Sequence, residues 1–145
     1  MGLILVMALL SCNQSLPKVE HKIAPVNEIK GDVLIGHYIG TLPCAGCSGL
    51  KTELTLYGAT TMESYKYTLR ETYLSSNAGD KVVERSGAYN FERGNSTDDD
   101  AVIYVLDPDS AKNRRFWMQN DSTVLAVDDK GDVPGKTANF ILRKN

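Results

Sequence analysis

Two cysteines, Cys44 and Cys47, sit three residues apart in the stretch Gly40-Thr41-Leu42-Pro43-Cys44-Ala45-Gly46-Cys47-Ser48-Gly49-Leu50. A pair at this spacing can do four kinds of chemistry. It can close a local disulfide, which in so short a loop removes only about 2 kcal/mol of chain entropy. It can act as a thiol–disulfide redox centre, which calls for the first cysteine near a helix N-terminus, where the dipole lowers its pKa. It can supply half of a tetrahedral zinc set, with only His21 and His37 available to complete it. Reduced, it offers paired thiolates suited to Cu(I), with the thioethers of Met62 and Met118 as possible company. Cys47 is followed by Ser48-Gly49-Leu50-Lys51-Thr52-Glu53-Leu54, a turn running into a strand, which argues against the helix-based redox centre. Disulfide and soft-metal forms both stay open, with the disulfide as the usual state. Pro43 holds Leu42 extended, and Gly46 and Gly49 permit positive φ, so the loop is expected to be preshaped for sulfur–sulfur approach.

The third cysteine, Cys12, does different chemistry. It ends an apolar leader, and Ala8-Leu9-Leu10-Ser11-Cys12 has the small-residue-then-cysteine form of a lipobox. Eleven residues are too few to cross a bilayer, which needs roughly 20 helical residues, but they suffice for the apolar part of a signal peptide. No Lys or Arg precedes Lys18, and a start codon upstream would supply the missing basic segment. Residues 1–11 are therefore expected to be a signal peptide, with Cys12 carrying the lipid that anchors the mature chain. Residues 12–30, with Pro17, Pro25 and mixed charge, read as a tether.

The elements that position the cysteine loop lie in residues 31–145, one domain's worth of chain. Alternating residues mark strands at Leu34–Gly40, Glu53–Tyr57, Ser64–Leu74, Val82–Phe91, Ala101–Leu106, Arg115–Gln119, Thr123–Val127 and Asn139–Arg143. Gly36 and Tyr38 share a face with Leu34, opposite Ile35 and His37. Between the strands lie turn-forming stretches such as Glu92-Arg93-Gly94-Asn95-Ser96 and Asp128-Asp129-Lys130-Gly131-Asp132. About eight short strands with short connections predict an all-β, antiparallel meander closed as an up-and-down barrel, with a two-sheet sandwich as the alternative. Tyr38, Leu54, Leu56, Tyr67, Leu69, Phe91, Tyr104, Phe116 and Trp117 are expected to fill it.

Several functions are excluded by composition. The net charge is −2 and no basic face is interleaved with aromatics, so nucleic acid is not a partner. The clusters at Asp98-Asp99-Asp100, Asp107-Pro108-Asp109 and Asp128–Asp132 lack the alternating carboxylates and terminal Glu of a calcium loop and read as turns. With two histidines, one of them in the tether, no nucleophile–base arrangement can be assembled, so the protein is read as a non-enzyme that requires no cofactor.

The segment Gly36-His37-Tyr38-Ile39-Gly40-Thr41-Leu42-Pro43-Cys44-Ala45-Gly46-Cys47-Ser48-Gly49-Leu50, with the following Thr52-Glu53-Leu54-Thr55-Leu56, resembles the signature of the NlpE family of envelope lipoproteins. The likeness continues through Tyr73-Leu74, Gly87-Ala88-Tyr89 and Thr123–Gly131. It implies a lipocalin-like barrel and a bacterial cell-envelope protein, lipid-anchored in the outer membrane, that serves copper homeostasis or stress sensing with a signalling partner. The switch would be Cys44–Cys47, passing between disulfide, dithiol and copper-bound forms. The alternative is a lipocalin-like carrier of a small apolar ligand, which needs an open interior.

Overall fold

Turn chemistry cuts the chain at regular intervals, and strands fill the intervals. In the computed structural model, which describes residues 32–59, 65–75 and 79–145, these are β1 (Asp32–Leu42), β2 (Gly49–Ala59), β3 (Tyr65–Leu74), β4 (Lys81–Arg93), β5 (Val102–Leu106), β6 (Arg114–Asn120), β7 (Thr123–Val127) and β8 (Ile141–Lys144). Each pairs antiparallel with the next, and β8 pairs with β1, so the eight strands form a closed barrel and not a sandwich. The expected strands all occur; the last starts later than expected, after a 3-10 turn at Thr137–Asn139. The leader, Cys12, the tether with His21, and Met62 lie outside the described residues.

One residue in two faces the interior, where Tyr38, Leu54, Leu56, Tyr67, Leu69, Tyr104 and Phe116 form the core as expected, joined by Tyr89, Leu106, Val124 and Leu142. Two expected fillers are elsewhere. Trp117 follows the inward Phe116, so strand parity turns it outward, against a second cluster of Ala101, Ile103 and Val105. Phe91 keeps inward parity but lies near the end of β4 and is 44 % exposed, its ring nearly perpendicular to that of Tyr65 with centroids 4.9 Å apart. A register shift between Leu34 and Gly36 also breaks the simple alternation of β1: Leu34 is left exposed while Ile35 packs against the core.

The seam between β8 and β1 is short, with Tyr38 opposite Lys144 and Ile39 opposite Arg143. Gly40 lies on this seam, and a Cβ there would collide with the main-chain oxygen of Ile141. The connection from β7 to β8 runs over the outer cluster. Gly131 packs on Ile103, and Asp132 accepts hydrogen bonds from the backbone N–H of Ser96 at 3.0 Å and its hydroxyl at 2.6 Å. Those bonds hold the Asp132 carboxyl below its ordinary pKa.

Burial pushes the phenols of Tyr67, Tyr89 and Tyr104 up, Tyr104 to about 12. In the unfolded chain a phenol ionises near 10. The folded state therefore holds these protons more tightly, and its stability is full below that value and falls as pH rises through it towards the folded values. Alkaline titration should show the phenolate absorbance of the interior tyrosines rising together with the loss of near-UV circular dichroism. Ionisation of all tyrosines near their ordinary value, with the fold intact, would contradict this packing.

Candidate functional site

Because neighbouring strands are antiparallel, the connections after β1, β3, β5 and β7 all leave the same end of the barrel. The cysteine loop is the first of these. Leu42 ends β1 with its side chain buried, Pro43 is exposed, and Cys44 packs against the edge of the interior cluster. Gly46 then takes φ 82°, a left-handed conformation that glycine adopts without a Cβ penalty, and turns the chain back. Cys44 and Cys47 are joined as a disulfide with Cα atoms 5.4 Å apart. Gly49, expected to serve the turn in the same way as Gly46, is instead the first residue of β2. The Ser48 N–H donates to the Leu74 carbonyl at 2.8 Å and ties the loop to the end of β3. The turn leads into a strand, and among the described residues no helix N-terminus lies beside the sulfurs.

The other sulfur and nitrogen candidates do not gather here. His37 lies in mid-β1, and its Nδ1 is 2.8 Å from the Thr55 hydroxyl on the neighbouring strand. Met118 pairs with Val102 at the start of β5, towards the opposite end of the barrel, and its sulfur accepts the Tyr104 hydroxyl at 3.1 Å. Among the described residues no three His, Cys, Asp or Glu side chains cluster as a metal site.

Beneath the cysteine loop the interior is polar. On β3 the inward series Tyr67, Leu69, Glu71 places a carboxylate inside the barrel, its side chain 2 % exposed. Arg85 on β4 donates from Nη2 to Glu71 Oε2 at 2.8 Å. Arg114, the first residue of β6, brings its Nη2 within 2.6 Å of Glu71 Oε1. That second contact has the distance of an ion pair without the alignment of a hydrogen bond, so Oε1 accepts none. The hydrogen bond and charge of Glu71 hold the Arg85 guanidinium above its ordinary pKa. Close by, the Tyr67 hydroxyl donates to Asp107 Oδ2 at 2.5 Å. Asp107 follows β5 with φ 50° and turns into the space left by Gly87, where a Cβ would strike its carboxylate. Burial first, and this hydrogen bond second, raise the Tyr67 phenol.

Sequence reasoning passed over this cluster because charged residues are usually solvated. The available signal was parity, since Glu71 continues the inward Tyr67–Leu69 series of its strand.

A family model described as the NlpE N-terminal domain matches residues 38–135, well over half of the 145-residue chain, including the cysteine loop. A crystal structure from Shewanella oneidensis, of a protein provisionally described as a lipoprotein, has the same fold. It superposes with a TM-score of 0.52 at 21 % identity, over 76 % of this chain and 87 % of that one. No curated protein matches.

Proposed function

The chain belongs to the NlpE N-terminal domain family, and from that premise we propose that it is a lipid-anchored protein of the bacterial cell envelope. It acts by binding and signalling, without catalysis, in copper homeostasis or envelope stress sensing. The observation that carries this reading is the bridged Cys44–Cys47 pair, set in a preshaped loop within the matched stretch. The bridge is the resting form of a switch. Thiol–disulfide exchange with an external dithiol, which leaves as the new disulfide, frees two thiolates, a ligand set that suits Cu(I) and falls short of the four that structural zinc needs. With His37 and Met118 engaged elsewhere, copper would be held by Cys44 and Cys47 themselves. The packed interior of Tyr38, Leu54, Leu56, Tyr67, Leu69 and Phe116 favours this reading over an apolar-ligand carrier.

The closed loop is so short that the Cys44→Ser/Cys47→Ser variant should keep its barrel and lose only about 1–2 kcal/mol on urea unfolding. In cells the same variant should lose copper tolerance or stress signalling. A folded variant with both unchanged would leave the bridge without a switching role.

Cys12 in Leu9-Leu10-Ser11-Cys12 supports the anchor. Expressed with its leader in an exporting bacterium, the protein should partition into detergent and fractionate with the outer membrane, and Cys12→Ala should release it or block its processing. A wild type that stays in the aqueous phase would overturn the anchor.

A further inference from the structure

One buried carboxylate serves two guanidiniums at the cysteine-loop end of the barrel. Each guanidinium carries five N–H donors in a fixed fork. Arg85 uses one nitrogen on Glu71 Oε2, and Arg114 places one beside Oε1; among the described residues neither side chain makes another hydrogen bond or ion pair. The side chains of Arg85 and Arg114 are 37 % and 34 % exposed, so their unused donors reach solvent while Glu71 behind them does not. Glu71 thus fixes two forks side by side, with no ligand needed to order them.

We infer that Arg85 and Arg114 form an oxyanion-binding site inside this end of the barrel, taking one carboxylate or phosphate group on their free N–H donors. Planar forks match the paired oxygens of such groups, which a spherical anion such as chloride lacks. The ligand completes an alternation of charge that begins at Glu71. The site does not involve the sulfurs, and it stands or falls independently of the switch proposed above.

The test uses the full chain in detergent, labelled with nitrogen-15 and titrated with inorganic phosphate or acetate against sodium chloride at matched ionic strength. The Nε–Hε signals of Arg85 and Arg114 should move to saturation, while those of Arg70 and Arg143 should not. Arg114→Ala should weaken phosphate binding by about tenfold or more, the loss of a hydrogen bond to a charged group. Arg114→Lys keeps the charge facing Glu71 but not the fork; it should fold and also bind more weakly, which covers the case of an unfolded alanine variant. Phosphatidylcholine vesicles with and without phosphatidylglycerol distinguish the sources. Shifts of the same signals by vesicles identify a lipid headgroup, and shifts by dissolved phosphate or acetate alone identify a free small anion. Unsaturated drift shared by all arginines, or saturation that survives in both Arg85→Ala and Arg114→Lys, overturns the site.

Discussion

Replacing Arg85 and Arg114 together by Met should destabilise the barrel by about 3–5 kcal/mol at neutral pH, the cost of leaving a buried charge without its partners. Glu71 is the reason. Its side chain is 2 % exposed and faces both guanidiniums from the inner wall of β3. Removing a surface cation costs little, because water takes its place. Water has no comparable access to Glu71, whose same-face neighbour on β3 is Leu69 and whose partner on β2 is the buried Thr52, so the double variant leaves the carboxylate buried without its cations. Adding Glu71→Gln to the same chain should recover much of the loss, since a neutral amide removes the orphaned charge. Urea unfolding followed by the fluorescence of Trp117 measures both steps. Equal stability of the double variant and the wild type would mean that the carboxylate finds solvent, and that the three residues do not act as a unit.

The second large effect is expected at Gly40→Ala. An added methyl there meets the main-chain oxygen of Ile141, a neighbour that no rotamer change can move aside. Either β8 shifts away from β1 or the β1 backbone yields. Overpacking of this kind costs about 1–3 kcal/mol, and the upper end applies because the obstacle is backbone. The damage should be local. Amide exchange at Arg143, Lys144 and Ile39, on the two sides of the seam, should accelerate more than at Thr52 or Glu53 in β2. Uniform acceleration across all strands would mean that the seam is no weaker than the rest of the barrel.

Much of the architecture could be read in the residues, for identifiable reasons. Strand positions were legible because Asn, Asp and Gly gather between alternating runs, and because Pro43 and Gly46 mark the cysteine turn. The cysteine pair was legible because its spacing alone limits what it can do. Facing was harder to read wherever two large apolar residues are adjacent. Phe116 and Trp117 compete for the interior, and only the register with β5 decides between them, placing Phe116 opposite the inward Tyr104. A single irregularity at Ile35 reversed the reading of Leu34. The interior ions were hidden because their partners come from three strands, and pairing across a barrel is set by closure, a long-range property that a strand-by-strand reading does not contain.

Closure also dictates an order of events in synthesis. The strand that seals the barrel is β8, and its partner β1 lies roughly a hundred residues earlier in the chain. A polypeptide emerging N-terminus first, from a ribosome or through a translocation pore, cannot pair β1 with β8 until the final strand arrives, and any sheet of β1 to β7 formed before then has two unpaired edges. Such non-local pairing is slow to form, and open edges invite association with other chains. The four residues of β8 therefore act as the latch of the molecule, and any holding factor that accompanies the chain has to remain bound until they have been delivered.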